Sequence, residues 1–240
     1  MFAQRNRAVV AVRYHRSYNA RVSAQLWADL RRVAVGTSAR AGKRNNRRRG
    51  LDPAIAAILP TQGEWSEADY FWLTNRSNRL IEYSDGWIEV LPTPTDQHQT
   101  ILLCLYELLL GLVRPLGGKV LVAPLRLRVK PRKFREPDLL FLRRADDPRR
   151  SNAYWEGADL VLEVVSPDDP ARDLKKKRRE YAETGILEYW IVNAQTECIT
   201  VLRLEMSTYI EHGVFGRGAR ATSALFEGWE IDVAAVFDAE

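Results

Sequence analysis

At 240 residues with 46% apolar side chains, the chain can bury one sizeable core, and its length does not require a second. Cys104 and Cys198 have no cysteine or histidine partner at metal-ligand spacing, which fits a reduced, cytoplasmic setting. The formal charge of +5 is uneven: residues 1–50 hold twelve Arg and one Lys against Asp29, a net of +12, leaving 5 − 12 = −7 for residues 51–240.

The first fifty residues, with the run Lys43, Arg44, Arg47, Arg48 and Arg49, read as a basic, disordered tail, and residues 60–240 as the folded domain. Such a tail could bind phosphates, act as a targeting segment, or be a solvated leader upstream of the true start.

Ser66-Glu67-Ala68-Asp69 resembles a capping box and opens a short helix through Leu73. Residues Leu80 to Leu91 alternate around Asp85-Gly86, a hairpin signal, and the first strand carries Glu82. From Gln97 to Val113 the apolar positions Ile101, Leu102, Leu105, Leu108, Leu109 and Leu112 recur at helical spacing, ended by Gly117-Gly118. That run, Ile101 to Val113, is broken by Tyr106 and Glu107 and is shorter than the roughly 20 residues of a spanning helix, so no membrane segment is expected.

Three strands are predicted next, Val120–Val129, Leu139–Leu142 and Leu160–Val165. A second helix over about Ala171 to Thr184 follows the turn Ser166 to Pro170 and stops at Gly185. A strand over Glu188–Val192 and further strand-like runs from Cys198 to Phe237, bent at Gly213, Gly216 and Gly218, complete the chain. This order indicates an α/β domain with a central mixed sheet flanked by helices.

The segment Asp159 to Ser166 is apolar on both faces, as in a central strand, yet holds Glu163 in its middle. A carboxylate there must be paired, protonated or bound to a cation. Asp138 stands just before Leu139–Leu142, where Pro137 stiffens the chain. On the second helix Leu174, Lys177 or Arg178, and Tyr181 share one stripe, so a cation falls on the core-facing side. Spacing leaves Lys177 and Arg178 as alternatives.

The stretch Glu136-Pro137-Asp138, then Leu162-Glu163-Val164-Val165-Ser166-Pro167, then Asp173 through Lys177, Tyr181 and Gly185 to Glu188-Tyr189-Trp190, resembles the Uma2 family of restriction endonuclease-like proteins. Upstream, Glu82 to Glu89 and His98 resemble the same family, so the likeness covers approximately residues 64–205. The family is assigned to the PD-(D/E)XK nuclease superfamily. The resemblance therefore implies a restriction-endonuclease-like core in which Asp138 and Glu163 hold Mg²⁺ or Mn²⁺ for hydrolysis of DNA phosphodiesters. The usual lysine position, two after Glu163, is Val165, and the resemblance places that lysine at Lys177 on the helix instead.

Glu82 and His98 are secondary candidates: Glu82 as a third acid or an exposed strand residue, His98 as catalytic or as a structural histidine beside Ile101 and Leu102. The rival reading is a DNA-binding or regulatory module on the same fold in which the acids and lysine form a buried ion network. A Ser-His-Asp hydrolase is set aside, since only His15, His98 and His212 exist and no Gly-x-Ser-x-Gly occurs. A homodimer is expected only by analogy with nucleases that cut two strands.

Overall fold

Ser66 starts α1 (Glu67–Thr74) through the predicted capping box: its side chain accepts from the Asp69 N–H while the Asp69 carboxylate accepts from the Ser66 N–H. This is a computed structural model describing residues 59–165 and 172–240. The basic tail and the turn Ser166–Pro170 lie outside the described residues.

The hairpin follows as β1 (Ile81–Ser84) and β2 (Trp87–Val90), turning at Asp85 (φ 49°) and Gly86 (φ 93°). Gly86 is fixed by more than its dihedral, because a Cβ there would lie 2.2 Å from the Gly63 carbonyl oxygen. Left-handed strain and that overlap together predict a loss of about 2–4 kcal/mol for Gly86→Ala, readable by urea denaturation.

Helix α2 (Asp96–Val113) is capped by Thr95 and buries Ile101, Leu102, Leu105, Leu109 and Val113, the predicted stripe in large part. The expected single strand Val120–Val129 does not form. It divides at Pro124 into β3 (Lys119–Val122) and β4 (Leu127–Lys130), which belong to different sheets. A strand that was not predicted, β5 (Lys133–Arg135), pairs with both β4 and β1.

Next come β6 (Leu139–Leu142) and β7 (Leu160–Val164), then a π-helical stretch Arg172–Lys177 that runs into α3 (Arg178–Thr184). Gly185 ends α3 in the left-handed conformation, φ 81°, as a C-cap glycine should. The chain continues through β8 (Glu188–Asn193), β9 (Cys198–Glu205), β10 (Thr208–Phe215), β11 (Arg220–Thr222), β12 (Glu230–Asp232) and a short α4 (Val233–Phe237) that the sequence reading lacked.

The central sheet is mixed and six-stranded, in the order β10-β9-β8-β7-β6-β3. Only β7 and β8 are parallel, so the connection between them must cross over one face, and α3 lies within that crossover. One face, with Leu139, Phe141, Leu160, Leu162 and Val164, packs with α2 and α4. The other, with Leu140, Leu142, Val161, Val165 and Ile191, packs with Tyr181 and Ala182 of α3 and with Leu127 and Val129 of β4. By strand alternation Asp138 and Glu163 belong to this second face.

The smaller sheet has the order β2-β1-β5-β4. On one side Tyr83 and Phe134 stack with Tyr70 of α1, with ring centroids 5.3 Å and 5.5 Å from it. Alternation sends Glu82, Lys133 and Arg135 to the opposite side. Among the described residues no helix is long and apolar enough to cross a membrane.

Candidate active site

Leu139 pairs with Leu162 across the antiparallel β6–β7 ladder, so one step further the same register sets Asp138 opposite Glu163. Both are buried, at 8% and 3% exposure. Asp138 Oδ2 accepts the Val164 N–H at 2.7 Å and lies 3.2 Å from His98 Nε2. The histidine thus reaches the acid from α2, on the far side of the sheet end.

Glu163 Oε1 accepts from Lys177 Nζ at 2.7 Å and from the Tyr181 hydroxyl at 2.6 Å. Lys177 and Tyr181 are one helical turn apart, which puts both over the strand that carries the glutamate. Burial and the neighbouring Glu163 carboxylate push the Tyr181 hydroxyl well above its ordinary value, so it remains a donor at neutral pH. Lys177 Nζ is also 3.5 Å from Glu82 Oε1. Of the two alternatives, Lys177 is 2% exposed and faces the core, whereas Arg178 is exposed and donates to the Tyr209 carbonyl.

The five predicted residues therefore fall into two contact sets, His98 with Asp138 and Lys177 with Glu163 and Glu82, which the β6–β7 register and the Val164 N–H held by Asp138 set side by side. His98 is half-buried, and its ring contacts the acid as well as flanking the apolar helix face. Glu82 is buried at 1% exposure, so its reading as an exposed strand residue is not what the fold gives.

Three of the other buried charges, Lys133, Arg135 and Glu180, adjoin these residues and were not singled out from the sequence. Arg135 reaches Glu180 Oε2 with Nε at 2.7 Å and Glu180 Oε1 with Nη2 at 2.9 Å, while Lys133 Nζ lies 3.0 Å from Glu180 Oε1. Arg135 Nη1 is 3.3 Å from Glu82 Oε2, closing a chain of alternating charges from Glu163 through Lys177, Glu82 and Arg135 to Glu180. The signal for them was the Lys133-Phe134-Arg135 alternation and the three-residue spacing of Glu180 from Lys177, which shares a helix face.

Burial raises the Glu180 carboxyl, but the Arg135 hydrogen bonds and charge, aided by Lys133, outweigh it and hold the group near 2 against an ordinary 4.5. A depressed acid stabilises the fold fully above its unfolded value and loses that contribution as pH falls through its folded value. The acid-induced drop in melting temperature between pH 4.5 and 2 should therefore be shallower in Glu180→Gln than in the wild type. Glu136, also buried, behaves oppositely: desolvation lifts it to about 7 despite the Ile81 N–H that it accepts at 2.9 Å.

Among the described residues no cluster of three or more His, Cys, Asp or Glu side chains is arranged to hold a metal. Magnesium, however, needs only one or two carboxylates when waters and substrate phosphate complete its octahedron. Asp138 and Glu163, neighbours at a strand end, fit that smaller requirement, and the contacts that Asp138 makes with Val164 and His98 fall on Oδ2.

A family model described as "Uma2: Putative restriction endonuclease" matches residues 67–234. A crystal structure described as that of a "putative nuclease belonging to DUF820", from Anabaena variabilis, is similar over 67% of this chain and 91% of that chain, at 19% identity and a TM-score of 0.56. At that identity the likeness is one of fold. No curated protein matches the chain.

Proposed function

The chain belongs to the Uma2 family, and from that premise we propose that its 60–240 domain is a divalent-metal-dependent endonuclease hydrolysing phosphodiester bonds of DNA. The observation that carries the reading is the meeting of Asp138, Glu163 and Lys177 at one strand end, with Lys177 Nζ 2.7 Å from Glu163.

Asp138 and Glu163 would hold Mg²⁺ or Mn²⁺. Once bound, such an ion lowers the pKa of a water and offsets charge on the phosphate. His98 and the Val164 N–H fix the Asp138 carboxylate, and Tyr181 fixes that of Glu163. Lys177 supplies a buried positive charge that orients the attacking water or stabilises the charge developing on phosphorus-bound oxygens. Glu82 shares that lysine and limits how far its ammonium can swing. Exposed Lys175, Lys176, Arg178 and Arg179 beside it offer phosphate contacts.

Purified protein is expected to cut plasmid or single-stranded DNA with Mg²⁺ or Mn²⁺ and to stop when the metal is chelated. Cleavage that survives chelation would overturn the metal requirement. DNA binding without cleavage under any metal would favour the rival reading of a non-catalytic module. A symmetric homodimer would present two such sites to a duplex, and light scattering measures that state.

A further inference from the structure

We propose that Arg135 is a positioning residue for the nuclease reaction, setting through Glu82 and Glu180 where the Lys177 ammonium stands. The inference rests on the nuclease reading of the site.

Arg135 is 1% exposed, and a guanidinium so placed is retained only if its donors are matched by fixed acceptors. Burial lowers its pKa, but the Glu82 and Glu180 carboxylates reverse that and hold it charged. Its planar fork grips both oxygens of Glu180 at 2.7 Å and 2.9 Å, a geometry that lysine cannot reproduce. A third nitrogen, Nη1, lies 3.3 Å from Glu82 Oε2, and the other oxygen of that carboxylate lies 3.5 Å from Lys177.

Two routes therefore lead from one arginine to the lysine. Through Glu180, three residues after Lys177, Arg135 pins the start of α3 to β5. Through Glu82 it fixes the second carboxylate that the ammonium faces. The register of the small sheet makes this local, since Tyr83 pairs with Phe134 and the next step sets Glu82 opposite Arg135. The helical segment leading into Lys177 is π-helical, with a turn wider than an α-helix, so the angular setting of this lysine depends on what holds α3 from outside.

The test compares wild type, Arg135→Lys, Glu180→Gln and the double variant, each checked for folding by circular dichroism and assayed on plasmid with Mn²⁺. Arg135→Lys keeps the charge, and Glu180→Gln keeps the shape of the acceptor. Each single variant should lower kcat by about 10–100-fold with KM within about threefold, the size expected when a reacting group is displaced by roughly 1 Å. The double variant should be no slower than the slower single one, since both break the same clamp. Folded variants with wild-type kcat, or with losses confined to KM or to melting temperature, overturn the positioning role and leave the nuclease reading intact. A wild type without cleavage overturns both.

Discussion

Glu163→Gln is expected to slow DNA cleavage by about a thousandfold or more, roughly 4 kcal/mol of transition-state stabilisation, while leaving the fold in place. The amide oxygen can still accept from Tyr181, and the side-chain volume is unchanged, so what is lost is the charge. That charge is the counterpart of Lys177 and one of only two acids proposed to hold the cation. Single-turnover cleavage at saturating Mn²⁺ measures the effect. A rate within tenfold of wild type would remove Glu163 from the catalytic assignment.

Lys177→Met should be the most destabilising single change at the site. It deletes the cation that faces two buried carboxylates, Glu163 and Glu82, at 3% and 1% exposure. Breaking a buried pair from one side costs about 3–5 kcal/mol, because the remaining charge keeps its desolvation penalty. For a domain of this size that corresponds to a fall of roughly 10 °C in melting temperature. Adding Glu163→Gln should recover part of the loss by neutralising one orphaned acid. Arg178→Met, at an exposed position whose guanidinium donates to the Tyr209 carbonyl, is expected to cost about 1 kcal/mol or less. Equal losses at the two positions would refute the distinction between them.

Local signals were legible where one element carries its own punctuation. The Ser66 cap, the Asp85-Gly86 turn, the α2 stripe and the Gly185 stop all depend on residues within a few positions of each other. The Asp138–Glu163 pair depends on strand register between segments 163 − 138 = 25 residues apart, so the two acids were weak signals singly and gained weight from the family pattern. The three-residue strand holding Arg135 carries only a brief alternation, and Lys133-Phe134-Arg135 reads equally as a charged turn between Pro131 and Pro137. Its two cations are core residues only because Glu180, 45 positions later, folds over them. The division at Pro124 was missed for a related reason, since a continuous apolar run does not say which of two sheets each half joins.

The charge chain also bears on the order of folding. Glu82 and Glu163 are 163 − 82 = 81 residues apart, yet both contact one ammonium, so the cluster exists only after that long loop has closed. Burying any member before its partners arrive would be unfavourable, which places the cluster after the rate-limiting barrier. Substitutions along it should then hasten unfolding while leaving the refolding rate nearly untouched, making these residues guardians of the lifetime of the native state more than architects of its formation.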